Sequence, residues 1–277
     1  MNRLMFFSIA ATVLFASTAF AYSEPEPKPF QATAGKAEPE VKQTLDAKGH
    51  VRSVDDDRML IMPTAQTKPK GAMSITDYEL AILQFSYGIL DNLQFSLTAT
   101  VPVYQFGFAP SLKWKFFETS NVRLAAMVYG GFLMIRPDDR YNLSLGGNAH
   151  FELCFDKKCE STLNAAADFA GGWSFFKDYA ATSNFAMSFA AGFLIRLVST
   201  VKLVIEVDYG MLPIPSSNSS VFTVNYAIRI HGGEFSGDIG FLRPIFYTSD
   251  GEARLIENAF FRYMPLGIPW LSFTYQW

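Results

Sequence analysis

The sequence has 277 residues, of which 49% are hydrophobic and 16% aromatic, with 27 Phe among them. Mean hydropathy is nevertheless only +0.13, so the apolar residues are dispersed, which argues against a bundle of membrane-spanning helices. A net charge of -3 supplies no basic field to attract nucleic acid, and nucleic acid is not expected as a partner.

Residues 1–21 read as a secretory signal peptide, with Arg3 as the positive n-region, an apolar core over residues 4–15 and Ala19-Phe20-Ala21 as the cleavage site. No Cys follows that site, so a lipoprotein is not expected, and the apolar core falls short of the ~20 residues a spanning helix needs. Residues 22–57 run from SEPEPKPF to DDD, rich in Pro, Glu, Lys and Ala. They hold too few large apolar side chains to build a core and are expected to form a disordered periplasmic tail.

From Arg58 to Trp277 the pattern changes to segments of roughly ten residues in which apolar and polar or small side chains alternate, as tilted strands crossing a bilayer require. Leu93, Phe95 and Leu97 alternate with Gln94, Ser96 and Thr98, and Val201, Leu203, Ile205 and Val207 with Lys202, Glu206 and Asp208. Such a period of two gives each strand one apolar wall and one wall that carries charge. The alternation predicts twelve strands, over 58–66, 72–88, 93–103, 108–117, 122–135 and 141–155, then 161–175, 184–197, 201–211, 221–231, 235–243 and 268–277. The first is interrupted by Pro63, and an even count places both chain ends on one side. Tight turns at 89–92, 118–121, 156–160, 199–200 and 232–234 alternate with mostly longer connections at 136–140, 176–183, 212–220 and 244–267. The expected fold is all-β: a closed antiparallel transmembrane barrel of about twelve strands over 58–277.

The last segment, Leu271-Ser272-Phe273-Thr274-Tyr275-Gln276-Trp277, resembles the C-terminal assembly signal of bacterial outer-membrane β-barrel proteins, carried by Phe273, Tyr275 and Trp277. The stretch from Arg58 to Ala65 with Lys70-Gly71 and Tyr87-Gly88-Ile89-Leu90-Asp91-Asn92 resembles the opening strands of uncharacterised porin-like outer-membrane barrels. The resemblance implies insertion by the outer-membrane assembly machinery and a location among outer-membrane lipid and lipopolysaccharide, with the N-terminal tail and the C-terminus in the periplasm. It brings no catalytic or ligand residues, and the oligomeric state stays open.

With the apolar wall facing lipid, the other wall places Lys113, Lys115, Arg123, Glu152, Asp168, Arg196, Lys202, Glu206, Asp208, Arg229 and Asp238 inside the barrel. Facing lipid, an Arg or Lys near the midplane would cost about 2–4 kcal/mol. These charges are the expected lining of a narrow, passive pore for small polar solutes; paired with one another, they would instead line a sealed structural or surface-interaction barrel. Cys154 and Cys159 flank a tight turn and are expected either as a disulfide that pins it or as two free thiols. No cofactor and no metal site are expected, and no Gly-rich phosphate loop or zinc spacing appears. An outer-membrane hydrolase is the remaining alternative. Of the three His, His50 falls in the tail, and neither His150 nor His231 has a motif supporting a nucleophile, so an enzyme is not expected.

Overall fold

The structure is a computed structural model that describes residues 54–100, 105–135, 140–176, 179–214, 217–247 and 266–277, with two-residue strands at Thr44–Leu45, Val51–Arg52 and Ala253–Arg254. The expected signal peptide and most of the expected tail lie outside the described residues. Twelve strands build the barrel: β1 (Met73–Tyr78), β2 (Ile82–Leu90), β3 (Leu93–Thr100), β4 (Gln105–Glu118), β5 (Val122–Ile135) and β6 (Arg140–Cys154), followed by β7 (Thr162–Phe176), β8 (Tyr179–Val198), β9 (Val201–Ile214), β10 (Ser217–Gly232), β11 (Phe235–Tyr247) and β12 (Ile268–Gln276). Each pairs antiparallel with the next in sequence, and β12 closes on β1 with Ser272 opposite Tyr78 and Gln276 opposite Ser74. Closure leaves no strand edge, the condition under which a sheet can stand in lipid.

Two expected elements differ from those observed. The segment 58–66 is not a wall strand; it folds inside the barrel, with Met59 and Leu60 fully buried. Its run Met59-Leu60-Ile61-Met62 is apolar at successive positions rather than alternate ones, which suits burial on all sides. The expected strand 72–88 breaks instead into β1 and β2 at a tight turn, where Ala81 N donates to Tyr78 O at 3.0 Å. Glu79 and Leu80 both adopt φ of 56° there, a left-handed conformation without a Gly or Asn to announce it. One strand lost and one gained leave the count at twelve. The connections expected over 176–183 and 212–220 are both mostly strand, since β7 runs to Phe176 and β8 starts at Tyr179, and β9 runs to Ile214 and β10 starts at Ser217.

Alternation sorts the side chains as the sequence pattern requires. Large apolar residues stand outward on every tall strand, including Leu112, Val128, Leu145, Phe169, Phe189 and Ile239. Aromatic rings gather near both ends of the outer wall. Phe106, Phe108, Phe132 and Tyr141 follow one another at centroid spacings of 6.2, 5.5 and 6.3 Å near one end. Trp114 with Phe116, Phe155 with Phe193, and Phe235 with Tyr275 pair near the other. An apolar band between two aromatic girdles is the outer face of an outer-membrane barrel. The second end carries the tight turns expected from the sequence and Trp277, and is called the turn end below; the opposite end, which holds the β1–β2 turn, is the loop end.

The register makes a direct labelling prediction. Single cysteines replacing Leu97, Phe189, Ile205 or Tyr226 should react with a lipid-soluble maleimide, and those replacing Thr98 or Ser111 with a water-soluble one. Inverted labelling at most of these sites would contradict the facing.

Candidate functional site

Residues 54–70 enter the barrel at the turn end and fill that half of the lumen. This segment has no regular hydrogen-bonding partner strand, so its backbone groups depend on the inward side chains of the wall. Glu206 on β9 accepts from three successive amides, Leu60 N at 3.0 Å, Ile61 N at 3.2 Å and Met62 N at 3.2 Å. Arg229 on the neighbouring β10 donates to carbonyls of the same stretch, Asp55 O at 2.7 Å, Arg58 O at 2.9 Å and Met59 O at 2.7 Å. Arg229 also holds Asp238 of β11 at 2.7 Å, and Asp238 in turn binds Arg58 of the plug at 2.9 Å.

The three consecutive acids at the end of the expected tail lie in this plug and find cations there. Asp55 pairs with Arg58 at 2.8 Å, Asp56 with Lys202 of β9 at 2.7 Å and Asp57 with Lys68 at 3.0 Å. Burial alone would raise the Asp55 and Asp57 carboxyls; Arg58 and Arg229 beside Asp55, and Lys68 and Lys113 beside Asp57, outweigh it and hold both below the ordinary carboxylate range. An apolar contact completes the seat, with Met59, Leu60 and Met62 packed on Leu194, Val204 and Ala227, buried apolar inward residues of β8 to β10. The wall gives way where the plug touches it: a Cβ on Gly192 would lie 2.6 Å from Met59 Cε, and one on Gly88 only 2.0 Å from Pro69 O.

The remaining expected lining residues fall into four groups. Lys113 of β4 turns down to the plug, donating to Asp57 O at 3.0 Å and Thr64 O at 3.4 Å. Arg123, Glu152, Lys115 and Glu118 form a buried network near the turn end, with Arg123 bound to Glu152 at 2.7 Å and to Glu118 at 3.0 Å, and Lys115 to Glu118 at 3.1 Å. Arg196 pairs with Glu160, which precedes β7. Asp168 and Asp208 lie above the plug. Asp168 accepts from Tyr129 Oη at 2.8 Å and Asn148 Nδ2 at 3.1 Å, and Asp208 from Asn225 Nδ2 at 2.6 Å. Cys154 and Cys159 are joined by a disulfide that closes the β6–β7 turn. Glu152 stands beside it, with all three ligand-type atoms within 4.8 Å of one another, but the bonded sulfurs are not available as metal ligands. His231 and Ser236 are cross-strand partners, and neither His231 Nε2 nor Ser236 Oγ has a hydrogen-bond partner among the described residues.

Above the plug the inner wall becomes accessible. On β6 the inward residues Glu152 and His150 are 2% and 3% exposed, whereas Asn148, Ser144 and Asn142 are half-buried. β7 repeats the change from buried Thr162 and Asn164 to half-buried Asp168 and Ala170. The space enclosed is a cavity of about 270 Å³, floored by Asp57, Arg58, Ile61 and Pro63 of the plug and walled by residues that include Tyr78, Gln84, Thr98, Ser111, Tyr129 and Asp168. Ile61, 49% exposed, is the apolar tip of the plug on that floor.

Docking of the plug has a protease readout. The Arg58–Met59 bond is buried and should resist trypsin in the folded protein, while Glu206→Ala should expose it to cleavage. That substitution removes the acceptor of three amides, of which those of Leu60 and Met62 are buried, at about 1–3 kcal/mol for each buried group. Gly192→Val should act in the same direction through steric overlap, costing about 1–3 kcal/mol. Equal protection of this bond in wild type and Glu206→Ala would contradict the seat described.

No protein-family model and no curated protein matches the sequence. Among solved structures, the chain is similar to LpxR from Salmonella typhimurium at 7% sequence identity and a TM-score of 0.39, over 75% of this chain and 99% of that one. LpxR is an enzyme, so the expectation that this chain is not an enzyme is corrected: a barrel without a recognisable nucleophile motif gives no ground for excluding catalysis. A likeness this distant transfers neither activity nor residues. What the fold itself establishes is a closed, twelve-stranded antiparallel β-barrel of the outer-membrane type.

Proposed function

We propose that the chain forms an outer-membrane passage for small polar solutes, closed at rest by its own residues 54–70. The observation that carries this reading is the division of the lumen into a half filled by the plug and a half holding a polar cavity of about 270 Å³. A barrel of twelve strands lies between the eight that side chains alone fill and the sixteen or more that leave an open channel. Its interior is therefore wide enough to hold a chain segment, and removing that segment would leave a polar duct. In this reading the inward charges serve first to hold the plug, and they line the duct only when it moves.

The membrane setting belongs to the same proposal. The turn end, with the C-terminus, faces the periplasm, as the chain ends of such barrels do, and the loop end faces the outer leaflet and lipopolysaccharide. Phe273 and Trp277, 51% and 52% exposed on the outer wall, with Tyr275 stacked on Trp277 at 5.7 Å, form the aromatic terminus offered to the assembly machinery. Residues 1–21 act as the export signal, and the chain ahead of the plug forms the periplasmic tail.

Planar-bilayer conductance of the purified protein tests the passage. The full chain should conduct weakly or not at all, and a variant lacking residues 54–68 should give steady channels. Glu206→Gln, which keeps the wall intact, should raise the frequency of brief openings. A correctly folded deletion variant, confirmed by heat-modifiable migration on a gel, that stays silent would overturn the proposal.

A further inference from the structure

The cavity above the plug contains one corner whose hydrogen-bonding capacity is unbalanced. Tyr129 on β5, Asn148 on β6 and Asp168 on β7 all face inward, and all three line the cavity. Tyr129 donates its one hydroxyl proton to Asp168 Oδ1, so its oxygen has only acceptor capacity left. Asn148 must present its amide nitrogen to Asp168 Oδ2, because a carboxylate can only accept; its Oδ1 then has no partner. Each Asp168 oxygen takes one donor and has room for another. Apart from the second amide hydrogen of Asn148, the corner consists of acceptors, and at its centre is a carboxylate with no cation within ion-pairing distance among the described residues.

The cations near the cavity do not reach it. Arg58 is engaged by Asp55 and Asp238, and Lys113 by two plug carbonyls. Lys113 and Asp168 share one row across β4 to β7, three strand spacings apart, which is roughly 14 Å between backbones. Of the described inner-wall charges at and above this level, Lys113 is turned down to the plug carbonyls, and the other two, Asp168 and Asp208, are acidic.

We propose that this corner binds the ammonium group of a small primary amine, with Asp168 as counter-ion and Tyr129 Oη as a further acceptor. An ammonium carries three donors and no acceptor, the complement of what the corner lacks. The three side chains come from adjacent strands of a closed wall, so their geometry is set before the ligand arrives. The proposal refines the passage reading by naming the class of solute, yet binding at equilibrium does not require conduction.

The test is a calorimetric titration of the full-length protein in detergent with n-propylammonium, with n-propanol and propionate as neutral and anionic counterparts. The amine should bind about tenfold more tightly than either counterpart, and Asp168→Asn should weaken it by about tenfold or more, the size of one charge-assisted contact. Tyr129→Phe, which keeps the ring and the carboxylate, should weaken it less and serves as the variant to read if Asp168→Asn loses its heat-modifiable migration. Propionate bound as well as the amine, no binding of the amine, or unchanged affinity in the folded variants would overturn the site. Amine binding by a barrel that stays silent after plug deletion would refute the passage and leave the site standing.

Discussion

A carboxylate and a guanidinium on neighbouring strands grip the same piece of chain by its two kinds of backbone group. Glu206 takes the amides of Leu60, Ile61 and Met62, and Arg229 gives to the carbonyls of Asp55, Arg58 and Met59. An irregular segment inside a closed sheet has little water to satisfy it, and buried backbone groups left unpaired would expel it. Much else in the lumen follows from that constraint. Asp238 sits where it can balance Arg229 and Arg58 together, Lys202 and Lys68 answer the plug's own acids, and Leu194, Val204 and Ala227 are apolar where Met59 and Leu60 press against them. The cavity begins where the segment turns back, at Ile61 and Pro63.

The wall was legible because its physics has a short period. Alternation along residues 93–98 or 201–208 fixes which face each side chain takes, and ten of the twelve strands follow directly from it. The two departures come from features without such a period. The turn at Glu79 and Leu80 carries no Gly, Asn or Pro, and is anchored by a long-range contact in which Glu79 N donates to Leu271 O at 3.0 Å and the Glu79 carboxylate accepts from Leu271 N. Left-handed residues of this kind cost of order 1–3 kcal/mol each and persist only where surrounding contacts hold them, which local sequence does not reveal. The plug was hidden by its composition: acids next to a run of Met, Leu and Ile look like the end of a polar tail followed by a strand. Its unbroken apolar run was the usable signal.

The charged interior illustrates a second limit. Parity places Lys113, Glu206, Arg229 and Asp168 inside with equal force, but it says nothing about what they meet there. Three of them bind the plug, and the fourth stands clear of it with Tyr129 and Asn148. Residues that look alike as lining thus divide into those that close the lumen and one that faces its open part. Only the fold of residues 54–70, which are distant in sequence from every one of them, makes that division.

The wall is far from level. β1 has six residues and β8 has twenty. At ~3.3 Å per residue and a tilt of ~40°, β1 rises roughly 15 Å, well short of the ~25 Å apolar band that such barrels present. Its neighbours β2 and β12 have nine residues each, so the low side spans an arc of the circumference. Leu80, 67% exposed, forms the rim of that arc. Lipid beside it has less protein to match than lipid beside β8, and a bilayer meeting such a mismatch thins locally or lets the barrel lean. The seam where β12 closes on β1 lies on that low side, so a leaflet around the barrel would be thinned more there than beside β8.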